Sequence, residues 1–172
     1  MAARVWLLTV AAISLFNADA LRAADTAQEI ALATQSCQRD ALAGNETARY
    51  TCAARLAAIA DKFVTAYREH GDRDDDGLHA IWTELKKYPM PANSDSKKLS
   101  ALLIGRWNSP RRTYVFKPNG KYGSEDGPID RTWKIQGNQL IESDGKGTLL
   151  LLDPKYFIYT EGGQVFFHSR VK

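Results

Sequence analysis

The chain of 172 residues has little of what most catalytic centres are built from, with two cysteines and three histidines. Neither cysteine has a histidine nearby in sequence, and no glycine-rich phosphate loop is present. The adjacent pair His168 and Ser169 lies in a strand-like run, where successive side chains point to opposite faces and cannot form a dyad. These absences exclude a recognisable catalytic set, so no enzyme is expected. Charge of one sign is scarce too: the net charge is +3, with no clustered basic stripe of the kind nucleic-acid binders carry. No nucleic-acid function is expected.

Long apolar runs are also missing. The longest, Val5 to Phe16, is about a dozen residues, short of the roughly 20 needed to cross a bilayer, so no stable membrane anchor is expected. Arg4 before it and the small-x-small triplet Ala18-Asp19-Ala20 after it give this segment the form of an export signal, residues 1–20, with the mature chain starting near Leu21. Removing it takes away one Arg and one Asp and leaves the net charge unchanged. The expected location is periplasmic or secreted, an oxidising environment.

From Asp25 to Ala43, Ile30, Ala33, Cys37 and Ala41 recur at helical spacing, without Pro or Gly. Gly44 and Asn45 break the run, suited to a helix end and the cap of a second helix from Glu46 to His70. Its apolar stripe is Cys52, Leu56, Ile59, Phe63 and Tyr67. Across an antiparallel hairpin turning at 44 and 45, Cys37 and Cys52 lie about two turns back on each side, and their spacing predicts a disulfide. Leu78, Ile81, Trp82, Leu85 and Tyr88 define a third helix stopped by Pro89. Together 21–88 form a three-helix unit with a stapled hairpin. Residues 89–98, rich in Pro, Ser and charge, mark a linker.

Ser36-Cys37, Cys52, Leu56, Asp61 and Tyr67 are similar to the cysteine-stapled hairpin of bacterial lysozyme-inhibitor-like periplasmic proteins. The resemblance implies an inhibitor or immunity protein acting on a cell-wall hydrolase. Between the second and third helices, Asp72, Asp74 and Asp76, with Gly77 in sixth place, resemble the first half of an EF-hand calcium loop. The second half departs from it: His79 holds position eight and Thr83 position twelve, with Glu84 one place late. The alternatives are a solvated acidic turn leading into the third helix, a weak calcium site, and a transition-metal site that adds His70 and His79 to these Asp residues.

After Gly105 the pattern changes to short β-branched and aromatic runs between turn signals such as Pro118-Asn119-Gly120, Gly137-Asn138 and Gly162-Gly163. Up to eight strands fit, joined as hairpins in sequence order, closed or nearly closed to avoid bare edges. The fold class is therefore α+β, with a small antiparallel β-meander or barrel over 99–172. Leu149 to Leu152 is apolar on both faces, which predicts that one face meets the helices. Gly105-Arg106-Trp107 entering the first strand and Arg170 ending the last resemble the lipocalin pattern in shortened form. That resemblance implies that Arg170 stacks over Trp107 at the barrel floor. Candidate binding residues are Trp107, Tyr114, Trp133 and Arg170. The expectation is a non-catalytic binding module for a protein or a small apolar ligand.

Overall fold

The computed structural model describes residues 27–39, 46–71 and 75–171; the expected export signal at 1–20 and the expected turn at 44 and 45 lie outside them. Helix α1 spans 27–39, α2 Glu46–His70, α3 Asp75–Leu85 and α4 Ser96–Leu103. Eight strands follow: β1 Gly105–Asn108, β2 Thr113–Phe116, β3 Lys121–Ser124, β4 Arg131–Gln136, β5 Gln139–Glu142, β6 Lys146–Leu152, β7 Tyr156–Glu161 and β8 Gln164–Arg170. Each pairs antiparallel with its neighbour in sequence, and β8 returns to β1 through Trp107 opposite Arg170 and Asn108 opposite Ser169. The result is a closed barrel within an α+β chain. No helix among the described residues is long and apolar enough to cross a membrane.

Cys37 and Cys52 are joined by a disulfide, with their Cα atoms 5.0 Å apart and both side chains buried. The staple fixes α1 on α2, whose alanine-rich sequence leaves room for close packing. Its buried stripe starts as expected at Cys52, Leu56 and Ile59 but then turns to Ala60 and Val64, leaving Phe63 half-buried. Ala53, Ala57, Ala60 and Val64, each about 100° round the helix from Cys52, Leu56, Ile59 and Phe63, are buried too, so the inward face is wide and set towards the small side chains. Gly71, at φ 75° with its N–H on the Tyr67 carbonyl, ends α2.

Two apolar clusters organise the molecule. One fills the barrel; the other lies between α1, α2 and α3 and the outer barrel wall, where Leu150, Leu151, Ile158 and Phe167 meet Leu56, Ala57 and Ile81. The register shifts between Leu149 and Leu151, so β6 bulges there. Leu149 and Leu152 point inward while Leu150 and Leu151 both face the helices, which is why four consecutive leucines are buried.

Helix α4 is absent from the sequence-based expectation. Asp95 caps it, accepting from the Lys97 and Lys98 N–H groups, and Leu99 and Leu103 plug one end of the barrel. The segment 89–98 is fastened to that same end: the Met90 N–H donates to the Leu149 carbonyl, Asn138 Nδ2 to the Met90 carbonyl, and the Gly137 N–H to Ser96 Oγ. Gly137 has φ 57°, and a Cβ there would strike the Ala92 carbonyl oxygen, so this turn requires glycine.

Candidate ligand cavity at the barrel mouth

The closed end is built around Trp107, fully buried, whose Nε1–H donates to the Leu103 carbonyl at 2.7 Å. The Arg170 guanidinium lies 3.8 Å from the Trp107 ring centroid and donates to the Leu102 and Ile104 carbonyls, so a cation meets the C-terminal end of α4. Gly105 makes way for it, since a Cβ there would collide with Arg170 Nη1. Trp107 and Arg170 are thus brought together at the floor, away from the opening. Trp133 is 7% exposed, packed edge-on against Phe116 in the barrel core, and donates from Nε1 to the Lys121 carbonyl. Of the four candidate binding residues, Tyr114 alone reaches the open end.

At that end a cavity of about 720 Å³ opens between the β1–β2 loop, the inner wall and the edge of α3 at Leu78 and Trp82. The strand register sets its lining. Tyr122 opposite Phe116, Arg131 opposite Tyr122, Glu142 opposite Trp133 and Phe166 opposite Tyr159 all share the inward phase. Along β5 and β7 that phase runs from apolar at the floor to polar at the mouth, Leu140 to Glu142 and Tyr159 to Glu161, while on β8 it runs from Arg170 at the floor through His168 to Phe166. Aromatic faces therefore form the cavity wall beneath a charged rim.

Within that rim, Arg131 pairs with Asp144 at 3.1 Å and lies 6.0 Å from the Tyr122 ring centroid, while the Tyr122 hydroxyl donates to Asp144 at 3.2 Å. Glu142 has no such cation. Burial first, then repulsion from Glu161 and Asp144, pushes its carboxyl up to about 7 against the opposing Tyr122 hydrogen bond and Arg131 charge. Burial, then Glu142 and Glu161, push the Tyr159 phenol upward, and burial with Glu142 does the same to Tyr122.

His168 is 4% exposed and stacks 4.8 Å from Phe157, with Tyr114 edge-on at 5.7 Å. Burial lowers it to about 4, opposed by a hydrogen bond to the Phe157 backbone, so it is neutral at pH 7. With its one proton turned to that carbonyl, Nδ1 is an acceptor, and no hydrogen-bond partner meets it among the described residues. Ser169 faces the other way, bonded to Asp61 on the outer wall. Of the acceptor-bearing side chains, Glu142 and Glu161 do not stand out in the sequence, and His168 does so only as the neighbour of Ser169. Their alternation with Phe166, Leu140 and Tyr159 is the signal that carries them.

In the acidic segment, Asp72 and Asp74 lie outside the described residues. Asp76 stands exposed in the first turn of α3, whose span takes in Gly77 and Thr83. No cluster of three metal-ligating side chains occurs among the described residues. The chain matches no protein-family profile and no curated protein, so the argument for a site rests on its own geometry.

Proposed function

We propose that the protein is an exported, non-catalytic binding module whose barrel mouth holds a small, largely apolar ligand. The observation that carries this is the cavity of about 720 Å³, walled by Tyr114, Phe116, Tyr122, Tyr159 and Phe166 and closed below by α4. A volume of this size suits a drug-sized molecule, and aromatic walls beneath a rim that carries Arg131, Glu142, Asp144 and Glu161 offer apolar contact with polar anchors. The Gly105, Trp107 and Arg170 arrangement at the floor supports a shortened lipocalin-like reading. A buried disulfide supports an oxidising compartment, periplasmic or secreted.

The test is a fluorescence titration with Nile red, a neutral solvent-sensitive dye. Saturable one-to-one binding that is lost in Tyr114→Arg, a variant that places a charge in the wall, is the expected result. A folded protein that binds neither this dye nor any other apolar probe saturably refutes the proposal.

A further inference from the structure

Resting on the reading of the mouth as a ligand site, we propose that its ligand is a small organic cation: a flat apolar body bearing a protonated amine and an N–H or O–H donor. The argument is a census of unfilled hydrogen-bonding capacity. Arg131 and the Tyr122 hydroxyl both engage Asp144, and the Tyr114 and Tyr159 hydroxyls on the same wall can accept as well as donate. Three groups of the lining residues call for a donor: His168 Nδ1, buried and without a partner among the described residues, and the carboxylates of Glu142 and Glu161, which form no ion pair with a basic side chain among the described residues. A ligand that satisfies these groups must donate.

Charge points the same way. Of the charged lining residues, Glu142, Glu161 and Arg131 stand on the strands and Asp144 in the β5–β6 turn, where Arg131 is taken up by Asp144. Arg111 and Arg112 also line the cavity, from the exposed β1–β2 loop across the opening, where Arg112 acts on Asp126. A protonated amine held beside Glu142 and Glu161 pairs the two carboxylates that Arg131 does not engage, and the faces of Tyr114, Tyr122, Tyr159 and Phe166 add attraction through their ring quadrupoles. An acidic rim alone would not specify a ligand. The buried, unpaired His168 acceptor at the same cavity is independent of it, because leaving such an atom unpaired costs stability unless a partner arrives.

The affinity should follow the ionisation of Glu142. The titratable and charged groups that face it from every packed element are Tyr114 on β2, Tyr122 on β3, Arg131 on β4, Asp144 in the β5–β6 turn, Tyr159 and Glu161 on β7, and His168 on β8. Glu142 is protonated on the acid side of about 7 and ionised above it. A cationic ligand binds the ionised form, so binding strengthens as pH rises and releases a proton.

The test is calorimetric titration of the purified disulfide-bonded protein with three ligands sharing one naphthalene body: 1-naphthylmethylamine, 1-naphthylmethanol and 1-naphthoate. At about pH 8 the amine should bind about tenfold more tightly than the alcohol, and naphthoate most weakly. At about pH 6 the amine should lose several-fold in affinity while the alcohol does not change. Glu142→Gln should abolish both the preference and its pH dependence, and His168→Phe should weaken amine and alcohol alike, since both donate. Equal or tighter binding of the alcohol or of naphthoate overturns the cation inference while leaving the mouth as a ligand site. A preference retained in both Glu142→Gln and Glu161→Gln overturns it as well. Failure of all three ligands to bind saturably overturns this inference together with the proposed function.

Discussion

Replacing His168 by Phe removes Nδ1, a buried polar atom without a partner among the described residues, together with the ring's hydrogen bond to the Phe157 backbone, and keeps a flat ring between Phe157 and Tyr159. An unpaired buried acceptor costs roughly 1–3 kcal/mol, so the variant should be more stable than the parent near pH 7, by about 1 kcal/mol after imperfect repacking. The pH dependence is the sharper expectation. The imidazole titrates at about 4 in the folded protein and near 6.5 when unfolded, so between these values the unfolded chain carries the proton and the folded one does not. Stability contributed by neutral His168 is therefore complete above about 6.5 and is lost as pH falls towards 4. At about 1.4 kcal/mol per unit, the loss is about 3 kcal/mol. The Phe variant has no such loss, so its advantage should widen by about that amount over this window. Urea unfolding at a series of pH values measures it. A difference between variant and parent that stays constant with pH would refute the assignment of His168 as a buried, unpaired neutral base.

Glu142→Gln should give the opposite slope. The native carboxyl keeps its proton up to about 7, so its contribution is complete below about 4.5 and lost as pH rises through 7; the Gln variant should gain on the parent across that window in the same urea series. The paired change Cys37→Ala with Cys52→Ala should lower stability by about 3 kcal/mol, read by urea unfolding, and intact mass should show a two-hydrogen rise when the parent is reduced. Arg170→Lys loses the planar fork that reaches the Leu102 and Ile104 carbonyls over Trp107 and should cost about 2 kcal/mol, with a changed near-ultraviolet dichroism band from that ring.

Much of the architecture was legible because short-range chemistry controls it. Turn pairs such as Gly137-Asn138 and Gly162-Gly163 mark where strands must reverse, and the disulfide follows from two cysteines at matched distances from a helix break. The leucine run from 149 to 152 announces a strand buried on both faces, though not the bulge that turns two successive leucines to one side. Helix α4 escaped notice because eight residues carry too little periodicity to stand out beside Pro89 and Pro91, although Asp95 is a fair capping signal. The site was harder. Aromatic residues alone do not tell which end of a barrel is plugged, so Trp107 and Arg170 were grouped with Tyr114 although α4 seals them into the floor. The mouth is written in the passage from apolar to charged residues along β5 and β7, and that code becomes readable only when the register and the closed end are known.

The account turns on the barrel mouth being the place where a ligand sits, and aromatic and imidazole chemical-shift mapping during a titration with 1-naphthylmethylamine tests this most directly. Saturable shifts at Tyr114, Tyr122, Tyr159, Phe166 and His168, with Trp107 and the α1–α2 face around Leu32 and Ile59 silent, are the predicted result. Shifts confined to the α1–α2 face, or none at saturating ligand, would contradict it.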